Sequence, residues 1–117
     1  RMHKEDLEDD IRRCWEAIRA SSPEGAPVTL EQVATKLAEH SAAEGWTLTE
    51  AEEEGQVTGF VSALFLTHRG YTDLWQMEYP SGDIFLQDKW PKFDDFAAIS
   101  TEIGIGPRQA DGGLDDE

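Results

Sequence analysis

An α+β domain, three helices followed by a β-hairpin and a short C-terminal helix, is the fold class this sequence predicts, on three observations. Apolar residues recur at helical spacing in three successive stretches before Gly70. After Gly70 the spacing changes to strict alternation, and Pro80-Ser81-Gly82 stands between two alternating runs. A length of 117 residues fits one domain with a core that needs no covalent staples.

The first helix is read from Leu7, Ile11, Cys14, Trp15 and Ile18, which fall on one face. Glu5, Asp6, Glu8, Asp9 and Asp10 crowd its first turns while Arg12, Arg13 and Arg19 come later, an order that complements the helix dipole. Two prolines and Gly25 end it within residues 21–27. The second helix starts at a capping box, Thr29 with Gln32, flanked by Val28 and Val33 as a hydrophobic staple. Its stripe is Leu30, Val33, Ala34, Leu37 and Ala38, with Gly45 as a stop. For the third helix the pair Thr49 and Glu52 suggests a cap, and Val57, Phe60, Val61, Leu64 and Phe65 share one face up to Gly70. Gly55 and Gly59 each weaken its first half by about 1 kcal/mol relative to alanine, so a kink or a late start near Gln56 is expected, and residues 50–54 are open between helix and loop.

Beyond Gly70, Trp75, Met77 and Tyr79 alternate with Leu74, Gln76 and Glu78, and Ile84, Leu86 and Trp90 alternate with Phe85 and Gln87. Proline and glycine between these runs suit a type I turn with a bulge. Pro91 ends the hairpin, and Asp94 caps a short helix bearing Phe93, Phe96, Ala97 and Ile103, with a strand over residues 98–105 as the alternative. The domain is expected to span residues 1–105, followed by a mobile acidic tail over residues 106–117.

Helices followed by a hairpin resemble the winged-helix family, and the match is best in PVTLEQVATKLAEH, residues 27–40, which looks like that family's second helix. The third helix would then end at THRG and residues 71–90 would form the wing, so that the resemblance spans residues 5–90. The family's DNA-binding members place the start of the third helix in the major groove. At that place this chain has Glu50, Glu52, Glu53 and Glu54, whose charges repel phosphates. The resemblance therefore implies the fold, and the DNA-binding role is declined at ordinary salt.

Charge narrows the function further. Asp and Glu number 25 against 10 Lys and Arg, a formal net charge of -15. Such a surface favours cationic partners or a salt-rich setting and repels nucleic acid and anionic lipid. The longest apolar run, residues 60–66, is too short to span a membrane, and no signal-peptide pattern follows Met2, which Arg1 precedes as a scar, so the expected location is cytoplasmic. The single Cys14 excludes an internal disulfide framework.

Chemistry-bearing residues are sparse. His3, His40 and His68 lie on three separate segments without metal-binding spacing, and His40 and His68 suit helix C-termini. Cys14 sits on an apolar stripe among acids, which raises a thiol pKa. Glu52/Glu53 and Asp94/Asp95 read as solvated helix starts. No catalytic, cofactor or metal residue is assigned, and an enzyme is not expected.

The aromatics point elsewhere. Leu74, Phe85 and the set Trp75, Met77 and Tyr79 cannot all face the helices from a two-stranded hairpin. Either Phe93, Phe96 and the last helix cover the surplus, or it anchors a partner or a homodimer through the hairpin. The expectation is a non-enzymatic, regulatory or inhibitory interaction module of the immunity, DNA-mimic or adaptor type. It would dock a basic protein surface through Glu50, Glu52, Glu53, Glu54, Trp75, Met77 and Tyr79. The alternatives are a winged-helix regulator of a salt-adapted organism that binds DNA at high salt, and a small enzyme whose site is built from scattered residues.

Overall fold

The structure, a computed structural model, describes residues 4–78 and 81–110, with side chains from residue 6 to residue 104. It is α+β: α1 (Lys4–Ser21), β1 (Val28–Thr29), α2 (Leu30–Ala43), α3 (Leu48–Arg69), β2 (Thr72–Gln76), β3 (Ile84–Asp88) and α4 (Phe96–Ala110). The three strands form one antiparallel sheet in the order β1-β3-β2. β1 is only two residues long, pairs Val28 with Leu86, and carries no periodicity of its own, which is why the sequence shows it only as the approach to a helix cap.

The first two helices form as their spacing dictates. Ile11, Cys14, Trp15 and Ile18 are buried in one cluster with Val33 and Leu37 of α2, whose Ala34 and Ala38 are buried against α3. Thr29 caps α2 through the capping box with Gln32, and Val28 and Val33 are both buried beside it. The cap of α3, however, is Thr47 with Glu50, two residues earlier than the Thr49 and Glu52 pair. In TLTEAE both pairs have capping spacing, and the earlier one wins because Gly45 turns the chain with a φ of 105°, leaving the helix free to start at once. Residues 50–54 are therefore helical, and α3 runs from Leu48 to Arg69 without the late start its glycines suggested. Gly70, at a φ of 94°, ends it in the left-handed conformation.

Packing of α3 is the main departure from the sequence reading. Its inward face is made of small residues, Ala51, Gly55, Gly59, Ser62 and Ala63, with Leu66 below them. The face bearing Val57, Phe60, Val61, Leu64 and Phe65 points outward. Small residues let the α3 backbone approach α2 closely: a Cβ on Gly55 would lie 2.7 Å from the Ala34 carbonyl oxygen. Ser62 is buried, and its hydroxyl has no hydrogen-bond partner among the described residues. Ser62→Ala is accordingly expected to raise stability by about 1 kcal/mol, read as a higher urea midpoint at unchanged slope; a lower midpoint would show that the hydroxyl is satisfied.

The hairpin pairs Leu74 with Leu86 toward the helices and Trp75 with Phe85 on the opposite side, where the two rings stack at 5.8 Å. β3 is tied to α1 by Asp88, whose buried carboxylate accepts from Arg19 Nε and from the Trp90 N–H. After Pro91 the last segment is a helix, not a strand. Its Phe96 ring stacks on Tyr71 at 4.5 Å and meets Trp15 edge-on at 5.2 Å, and Ile99 is fully buried. α4 therefore settles against α1 and the end of α3; Phe96 covers the core and not the Trp75–Phe85 stack. The helix continues to Ala110, past the Gly106 boundary expected for the tail. The remainder of the expected tail lies outside the described residues.

Candidate functional site

The carboxylate run at the start of α3 does not act as one face. Successive helical residues point about 100° apart, and the structure distributes the four glutamates accordingly. Glu50 accepts a hydrogen bond from the Thr47 N–H as part of the cap. Glu52 and Glu53 are exposed. Glu54 is half-buried and accepts from the Thr58 hydroxyl at 2.9 Å. The hairpin residues lie elsewhere: Trp75 stacks on Phe85 across the sheet from Leu86, Met77 is 67% exposed, and Tyr79 lies outside the described residues.

Among the described members of the set, Glu52 lines a groove and Glu54 a small crevice. A groove of about 610 Å³ runs between α2, α3 and the hairpin end. Its apolar floor is Leu30, Ala34, Ala38, Phe60 and Ile84, and Glu31, Glu52 and Asp83 stand around it. All three acids are exposed, and no Lys, Arg or His belongs to the lining among the described residues. Each part has a local origin. The α2 cap fixes where Leu30 and Glu31 emerge. The small residues at the α2–α3 crossing bring the two backbones close beside Ala34 and Ala38, and the outward-facing side of α3 contributes Phe60. The β2–β3 register sets Ile84 opposite Gln76, whose side-chain amide donates to the Gly82 carbonyl and holds the turn beside the groove.

Sequence reasoning found Glu52 but missed Glu31, Asp83 and Phe60. Phe60 was visible only as one of an apolar face, and nothing local announces that Glu31 and Asp83, on different elements, flank the same space. The aromatic contribution to this site is Phe60, whereas Trp75 and Met77 sit on the outer side of the hairpin.

A second gathering of titratable groups, Asp10, Arg13, His40 and Glu54, surrounds a crevice of about 30 Å³ between α1, α2 and α3. That is room for about one water molecule. Burial raises the Asp10 carboxyl above the usual range; Arg13, bonded to it at 3.0 Å, opposes the rise, and Glu54 and Asp6 add to it. His40 Nε2 lies 3.4 Å from Glu44, an exposed contact at the end of α2. Cys14 is fully buried, and desolvation pushes its thiol up to about 12, so it stays protonated and unreactive at neutral pH.

Among the described residues, no group of three or more His, Cys, Asp or Glu side chains is arranged to hold a metal ion. No described helix is long and apolar enough to cross a membrane. Comparison with known proteins returns no match: neither a family model, nor a curated protein, nor a solved structure is significantly similar to this chain.

Proposed function

We propose that the chain is a non-enzymatic, winged-helix-like interaction module of regulatory or inhibitory type, which docks a basic segment of a partner protein in the groove between α2, α3 and the hairpin. The observation that carries this reading is the composition of the groove: an apolar floor with Phe60 at its edge, surrounded by Glu31, Glu52 and Asp83 without a lining cation. The matching occupant is an amphipathic segment with Lys or Arg beside apolar side chains, since apolar contact supplies affinity and complementary charge supplies steering and register. Polyanions are disfavoured by the same three carboxylates and by the net charge of -15. The winged-helix part of the proposal is supported by element order, with a short strand before α2 joining the sheet of the hairpin that follows α3.

The test uses a synthetic amphipathic peptide of leucine and lysine at helical spacing, with binding followed by calorimetry. The expected result is an affinity that falls steeply between 0.05 and 0.5 M KCl, and a loss of about tenfold or more in the double variant Glu31→Lys/Glu52→Lys. Both positions are exposed, so unfolding is not expected to confuse the readout. Affinity indifferent to salt and to the double variant would overturn the reading, as would preferential binding of duplex DNA over the peptide.

A further inference from the structure

We infer that two copies of the chain associate through the outward face of α3, antiparallel about a two-fold axis near Val61. In a chain whose residues are 30% charged, positions 55–67 of α3 include no Asp, Glu, Lys or Arg. Within this uncharged stretch Val57, Phe60, Val61, Leu64 and Phe65 follow one another at three- and four-residue spacing and are 37–64% exposed. The small residues on the opposite face already occupy the contact with α2. The helix thus has two packing faces, and among the described residues the one carrying the larger side chains is left exposed. Five large apolar side chains exposed together on one helix face form a patch of the kind that marks an interaction surface.

A second copy suits this face better than a basic partner does. The stripe offers no carboxylate to recognise a cation, whereas an identical stripe is uncharged in turn. At its ends the charges are complementary under a two-fold axis. Antiparallel pairing centred on Val61 sets residue 57 opposite 65, 54 opposite 68 and 53 opposite 69. Glu54 of one copy then comes beside His68 and Arg69 of the other, an isologous arrangement in which each contact occurs twice. Arg69 already holds Glu8 with two of its donors at 2.8 and 3.0 Å, which fixes its position at the end of the stripe and leaves further N–H groups to reach a second carboxylate. Its guanidinium also lies 5.7 Å from the Phe65 ring. The inference does not depend on the groove reading: Val57, Val61, Leu64 and Phe65 do not line the groove, and Phe60 is shared.

The two associations respond to salt with opposite sign. Copies of net charge -15 repel, so added salt strengthens self-association, whereas it weakens the docking of a basic segment. Sedimentation equilibrium of the full chain at 0.05 and 1 M KCl is expected to show a dimer whose dissociation constant falls at least tenfold with salt. Val61→Glu/Leu64→Glu is expected to be monomeric with an unchanged circular dichroism spectrum. Val61→Cys provides a measurement that does not rely on that variant folding: near the axis it should oxidise to a linked dimer, whereas Val57→Cys, displaced from its mate by about 12 Å along the helices, should not. A monomer at every salt concentration and at millimolar protein overturns the inference. So does a dimer that survives the double variant, or one in which Met77→Cys on the hairpin links and Val61→Cys does not.

Discussion

Asp88→Ala is expected to lower the unfolding free energy by about 3–5 kcal/mol, the largest effect of any single replacement considered for this chain. The Asp88 side chain is 1% exposed, and its two oxygens have separate duties. One accepts from Arg19 Nε, the other from the Trp90 N–H at 2.9 Å, while Arg19 Nη2 donates to the Trp90 carbonyl. The guanidinium also lies 4.6 Å from the Trp15 ring. One carboxylate thus joins α1, the end of β3 and the chain leading to α4. Removing it strands a largely buried arginine and the half-buried Trp90 N–H group, and the cost comes chiefly from these orphans. The discriminating measurement is a double-mutant cycle in urea. Arg19→Met added to Asp88→Ala should restore part of the loss, because the unpaired charge disappears with it. Losses that merely add would show that Asp88 acts without Arg19.

Gly55→Ala is expected to destabilise by about 2 kcal/mol, although a helix interior ordinarily gains up to about 1 kcal/mol from the same change. The added methyl would lie 2.7 Å from the Ala34 carbonyl oxygen and 3.2 Å from the Ala38 nitrogen, both backbone atoms that move only if α2 moves. Four residues on, Gly59 is the internal control. There the nearest atom to a new Cβ is Leu37 Cδ1 at 3.5 Å, an ordinary contact, so Gly59→Ala should stabilise by as much as about 1 kcal/mol. Opposite signs at two glycines on one helix face can be read directly from thermal or urea unfolding. If both variants stabilise, the close approach of α2 and α3 is not what holds α3 in its orientation.

These glycines show where local reading stops. Their low helix propensity was visible and suggested a kink, whereas their purpose lies in a neighbour whose distance no local pattern encodes. The same holds for the stripe from Val57 to Phe65. An apolar face at helical spacing is ordinarily buried, but α3 is apolar on both sides, and periodicity cannot choose between two such faces. The choice follows from steric fit. α2 presents Ala34, Leu37 and Ala38, and only the Ala51, Gly55, Gly59 and Ala63 side of α3 can approach them closely, which sends the larger side chains outward.

The candidate site was legible in proportion to how local it is. Glu52 was found because it stands in an acidic run, and the apolar face containing Phe60 was recognised. Glu31 and Asp83 were not, since they join Glu52 only when β1 pairs with β3 and the hairpin end comes beside α2. Trp75 and Glu52 stand apart for a related reason. The register of β2 with β3 puts Trp75 on the side of the sheet facing away from Leu86, so the aromatic that reaches the groove is Phe60.

By itself the sequence determined the number and kind of the main elements, the capping of α2, the stop at Gly70, the buried stripe of α1 and the acidic surface. These depend on spacing, on residues within one turn of each other, and on composition. Only the tertiary structure decided which face of α3 is inside, that β1 completes the sheet, and which acids surround a common groove. Those outcomes depend on how closely two backbones can approach, a property of pairs of elements that neither one carries alone.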